Sequence, residues 1–153
     1  MYEGRRGWCF RGDPDVTWPD LRDRVWRLVA RVPVTSLRLH TFDPLLSGRM
    51  SGFASLRLQH PSAFPAAVAG PGELRRVLAR PSVIDLHAVV LLDYPAGIDS
   101  ALQQELLRLA EPDGAGPVLL VQHDDARTPT DRAVRPTDLT ERLTHAHHPA
   151  TGG

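Results

Sequence analysis

The sequence predicts an α/β (α+β) fold: a single domain of two to three layers, with a mixed sheet of about five strands in βαββαβαβ order and a polar C-terminal tail. Three observations carry this expectation. Two runs, LHAVVLLD (Leu86–Asp93) and VLLVQH (Val118–His123), are almost wholly apolar, as strands covered on both faces are. A helical pattern, IDSALQQELLRLA, lies between them, so the three should form a right-handed parallel crossover. An amphipathic stretch near the N-terminus, followed by two alternating stretches, supplies the remaining layers.

Each element follows from local chemistry. GWCF (Gly7–Phe10) is short, aromatic and apolar, and reads as a strand closed by the turn RGDPD. In VTWPDL, Thr17 stands as N-cap with Asp20 in the capping-box position and Val16 and Leu21 spaced as a hydrophobic staple. Leu21, Val25, Leu28, Val29 and Val32 then recur at helical spacing until Pro33 ends the helix. Leu37 and Leu39 alternate with Arg38 and His40 in Val34–Phe42, and Leu56 and Leu58 alternate with Arg57 and Gln59 in Gly52–His60. The pair is expected to form an antiparallel hairpin joined by DPLLSGRMS. One short helix is expected over Glu73–Arg80, beyond the break Gly70–Pro71–Gly72. In the later helix, Ser100 and Gln103 are spaced as a capping box. Residues 1–123 therefore make the domain, and 124–153 form a tail, partly disordered or wrapped over it, with room for a short helix at Asp138–Thr144.

Composition narrows the function. The chain has 153 residues, 42% of them hydrophobic, enough for a real core. All 18 basic residues are arginine, balanced by 18 acids, so a general nucleic-acid binder is not favoured. Without lysine there is no Schiff base, no P-loop cation and no acceptor for an isopeptide bond. Neither a membrane span nor a signal sequence is visible. Cys9 is alone, so no intrachain disulfide forms, and a cytoplasmic setting is expected.

Two local resemblances add expectations. The stretch His40–Pro65 resembles the β-meander of ubiquitin-conjugating enzymes and related RWD domains at Pro44, Gly52, Leu56, Leu58, Pro61, Phe64 and Pro65. No cysteine follows the stretch and no H-P-N element appears, so the resemblance implies a catalytically silent binding domain. The terminal Gly152–Gly153 resembles the ends of ubiquitin-like modifiers and sulfur-carrier proteins, which need a slim, open carboxylate. The preceding His145, His147 and His148 have the composition of a metal-binding peptide but no core to hold them; the plain expectation for HAHHPATGG is an unanchored tail.

The candidate catalytic residues are Asp93, His123, Asp124 and Asp125, at the carboxyl ends of the two apolar strands. Such acids suit Mg²⁺ held through several waters, and His123 suits a base or ligand; the same residues also serve as ordinary turn formers. Cys9, in an aromatic strand, reads as core, and His40, His60 and His87 show no ligand spacing. Candidate binding residues are Arg24, Arg27 and Arg31 on one helix, a solvated face or a docking surface for an acidic partner, and Phe64 in the Pro-rich loop region. The leading expectation is a non-catalytic adaptor or accessory domain of a bacterial cytoplasmic system, binding another protein without a cofactor. The alternatives are a small metal-assisted hydrolase or phosphotransferase using Asp93 and Asp124 with Mg²⁺, and a component of a ubiquitin-like conjugation system.

Overall fold

A computed structural model describes residues 7–79, 86–94, 96–109, 117–124 and 143–145. The strands are β1 (Gly7–Arg11), β2 (Leu37–Phe42), β3 (Leu86–Tyr94), β4 (Val118–His123) and β5 (Thr144–His145); the helices are α1 (Pro14–Arg31), α2 (Ala54–Gln59), α3 (Pro71–Ala79) and α4 (Ser100–Leu109). The sheet order is β2-β3-β4-β1-β5, and every pairing is parallel. The expected mixed sheet is thus replaced by a parallel one. The adjacency of β3 and β4, joined through α4, matches the expectation.

The antiparallel hairpin is absent because its second arm is not a strand. Residues Arg49–Phe53 form a 3₁₀ turn that runs into α2. Ala54–Gln59 (ASLRLQ) holds no β-branched or aromatic residue and several good helix formers. Phe53 and Leu56, three apart, both reach the core, while Leu58 turns outward and is 84% exposed. A short alternating run was therefore also a helical one. The meander implied by the resemblance, and with it the βαββαβαβ order, fails at this point.

Sheet alternation splits the core into two layers. On one face α1 buries Leu21, Val25 and Leu28 against Phe10, Leu39 and Val90. On the other, α4 buries Leu102 and Leu106, and α3 buries Leu74, against Val89, Leu91 and Val121. Each such side chain contributes about 1.5–3 kcal/mol on leaving water. The outer edge of β2 is covered by residues 61–68: Leu39 N–H donates to the Ala63 carbonyl, Val68 N–H to Thr41, and Asp43 N–H to Val68. That cover blunts an edge strand that would otherwise invite pairing.

The helix starts differ from expectation. α1 begins at Pro14, not beyond Thr17: Asp13 is the N-cap, its carboxylate accepting from Asp15 N–H at 2.9 Å, and Pro14 fills the first turn. Thr17 lies inside the helix, its hydroxyl donating to the Asp13 carbonyl. α4 is capped by Asp99, which accepts from Leu102 N–H at 2.8 Å, so Ser100 is its first residue and not its cap. Asp99 also takes both oxygens to Arg75 of α3, at 2.6 and 2.8 Å, tying the two helices on that face together.

The tail region is described only at residues 143–145 after Asp124. There Leu143 is buried and Thr144–His145 pair with Trp8 and Cys9 of β1, so His145 belongs to the sheet and Thr144 is not helical. Asp125, His147, His148, Gly152 and Gly153, and the remainder of the expected Asp138–Thr144 helix, lie outside the described residues.

Candidate functional site

All strands being parallel, their carboxyl ends emerge on one edge, and an aspartate stands at or just past the end of each of the four long ones. Asp13 lies just past β1, Asp43 follows β2, Asp93 is the penultimate residue of β3, and Asp124 follows β4. A cleft of about 240 Å³ opens there, lined by Asp13 and Asp15 from the turn into α1, Ser47 and Arg49 from the loop after β2, and Asp93 and Asp124. Asp93 and Asp124 thus line the same cleft.

A bulge builds the floor of this cleft. Leu91 pairs with Val121 and Tyr94 with His123, so two residues, Leu92 and Asp93, stand opposite Gln122 alone. Asp93 takes up the extra length with φ +53°, in the left-handed region that side chains other than glycine rarely adopt. Simple alternation would put Leu92 and Tyr94 on one face. The bulge instead leaves Leu92 against the α1 layer and sends Tyr94 to the α4 layer, where its hydroxyl donates to Gln103 Oε1. Asp93 and Asp124 are both buried, and Asp124 N–H donates to the Tyr94 carbonyl, locking the two strand ends together.

The other acids have visible structural work. Asp13 caps α1, and Asp15 pairs with Arg49 at 3.3 Å across the cleft mouth. Asp43 accepts from Ser47 N–H and Gly48 N–H with its two oxygens, shaping the loop after β2. His123 does not line the cleft; its ring lies 5.8 Å from that of Tyr94. Among the described residues no three or more His, Cys, Asp or Glu side chains converge in a way that could hold a metal ion. Cys9 is fully buried under α4's layer. His40 and His87 meet edge to face, 4.8 Å apart, and burial followed by the nearby Arg38 charge holds His87 below its ordinary pKa of 6.5.

Beside the cleft, on the α1 side of the sheet, lies a second and larger concavity of about 370 Å³. Its walls are apolar: Leu39 of β2, Met50 and Phe53 of the 3₁₀ turn, Leu58 of α2, and Phe64 and Pro65. Arg57 and Asp43 are the charged residues in the lining. Phe64, expected as a binding residue, is buried and forms part of this wall. Of the α1 arginines, Arg24 lies over the Trp8 ring at 4.6 Å, a cation–π contact, while Arg27 and Arg31 are exposed. The groove was not legible as such because its floor depends on 49–59 being helical. The cleft was half legible: each strand's closing aspartate stands in the sequence, but the partners Arg49 and Ser47 come from a loop expected to be a hairpin turn.

Fold and site together define an α/β protein with a parallel sheet, helices on both faces, an acid-lined cleft at the carboxyl edge and an apolar groove beside it. No protein-family model matches the chain, and no curated protein is significantly similar to it. Among the described residues no helix is long and apolar enough to cross a membrane.

Proposed function

We propose that this protein is a non-catalytic protein-interaction domain whose docking site is the groove between β2 and α2. The observation that carries the reading is a concave, apolar-walled space of about 370 Å³ with Leu58 84% exposed at its rim. Sites of that volume, mostly apolar with a few polar groups, are where ligands and anchoring side chains settle. The neighbouring loop adds Leu45 and Leu46, 42% and 77% exposed, on a turn held by the Asp43 carboxylate. Exposed leucines on pinned backbone lose little freedom when covered.

The test is a photo-crosslinking residue at position 58 in the cell of origin. One discrete adduct is expected, lost when Ala54→Trp fills the groove and absent when the crosslinker replaces Arg76 on α3. Adducts that persist unchanged in the Ala54→Trp background would refute the groove as the docking site.

A second reading keeps the cleft as a metal-assisted hydrolase or phosphotransferase site, favoured by the buried Asp93 and Asp124 meeting at a bulge with left-handed backbone. Such backbone is concentrated at functional sites. Millimolar Mg²⁺ should then raise the melting temperature of the wild type and not of Asp93→Asn. Equal responses, or none, would remove this reading.

A further inference from the structure

Resting on the proposed docking role of the groove, we infer the chemistry of its occupant: a partner segment carrying a bulky apolar side chain with a carboxylate close by in its sequence. The argument is charge complementarity around an apolar hole. Two charged side chains line the groove. The Asp43 carboxylate is buried and held by its own loop, each oxygen accepting one backbone bond, from Ser47 N–H at 2.9 Å and Gly48 N–H at 3.0 Å. Arg57 is exposed on α2, so the charge that the groove offers a visitor is positive.

The adjoining surface has the same sign. Trp26 of α1, 42% exposed, lies 5.2 Å from Phe53, which forms a wall of the groove. Arg22, exposed, sits one turn before Trp26 and one turn after Trp18, both of which meet Phe53, while the exposed Asp23 and Arg27 lie further round the helix. Arg22 and Arg57, both exposed, make a local cationic rim on a chain whose formal net charge is zero. A basic or neutral apolar segment would fill the hole and leave this rim unanswered. An apolar residue flanked by Asp or Glu satisfies both.

Guanidinium groups at an exposed rim act mainly on selectivity and association rate, and their effect is screened by salt. The apolar anchor supplies affinity, and the carboxylate decides which anchors are accepted. A concave site small enough for side chains also favours a peptide over a lipid surface, which is met by protruding apolar groups.

A library of random twelve-residue peptides displayed on phage, selected on the full chain, tests this. Enriched sequences are expected to share a bulky apolar residue with Asp or Glu within three positions. A synthetic peptide of the consensus should bind the Arg57→Glu variant about three- to fivefold more weakly, roughly the effect of one exposed ion pair. That difference should vanish in 0.5 M salt, while Ala54→Trp, confirmed as folded by its melting curve, should abolish binding at any salt. Enrichment of basic or uncharged apolar peptides would overturn the inference, as would no enrichment over Ala54→Trp. Binding to phosphatidylserine vesicles that Arg57→Glu abolishes would overturn it too. If the position-58 adduct forms and is groove-dependent while selected peptides lack acids, this inference falls and the docking role stands; if the adduct is groove-independent, both fall.

Discussion

Gly7 shows how one atom can decide a strand. A Cβ there would lie 2.1 Å from the Leu119 carbonyl oxygen, so β1 packs against β4 at a distance that only glycine permits. Gly7→Ala should cost about 1–3 kcal/mol, the range of an overpacked core, read as a lower denaturant midpoint at unchanged m-value. Leu46 argues the opposite sign: it holds φ +53° while 77% exposed, so its strain is set against no burial. Leu46→Asn, a residue far more tolerant of that backbone, should stabilise by about 0.5–1 kcal/mol, and weaken docking if the loop takes part. His87 sets a pH dependence. Its folded pKa is lowered by burial and then by Arg38, so above 6.5 both folded and unfolded chains hold it neutral. Below 6.5 the unfolded chain takes up the proton first, and stability falls with pH until the folded pKa is passed. His87→Phe should flatten that part of the stability–pH curve.

At the scale of elements, the caps explain most differences from the sequence reading. Asp13 and Thr17 are both good N-caps; what selects Asp13 is Pro14, whose fixed φ suits the first turn and which has no N–H to satisfy. Asp13→Ala should cost about 1 kcal/mol, and Thr17→Val should lack a capping effect. Differential melting of the two variants separates the assignments. The 52–60 segment failed for a different reason. Its alternation covers few residues: Leu56 and Leu58, two apart, suit a strand, while Phe53 and Leu56, three apart, suit a helix. Only the packing of Phe53 against Trp18 and Trp26, from an element far away in sequence, makes the helix the better solution.

For the whole molecule, the strongly apolar runs at 86–94 and 118–123 were legible because burial on both faces leaves little room for polar residues along most of each strand. Their adjacency and direction followed from the connecting helix. The position of β1 did not: nothing in GWCF says it pairs with β4 on one side and Thr144–His145 on the other. The candidate site inherits that division, since its strand-end aspartates were visible and its remaining walls depend on loop geometry. Parallel order has one further effect, which decides when this chain can fold. Of the described strands β1 leaves the ribosome before the others and is flanked by β4 and β5, so it has no neighbour among them until residues 118–123 have emerged. Synthesis from the N-terminus thus holds an aromatic, apolar strand in waiting through most of translation. Ribosome-bound chains stalled with Val118 still in the tunnel should be cut by protease throughout, and protection should arrive in one late step. Trp8, Cys9 and Phe10 should therefore be among the last core residues to gain that protection.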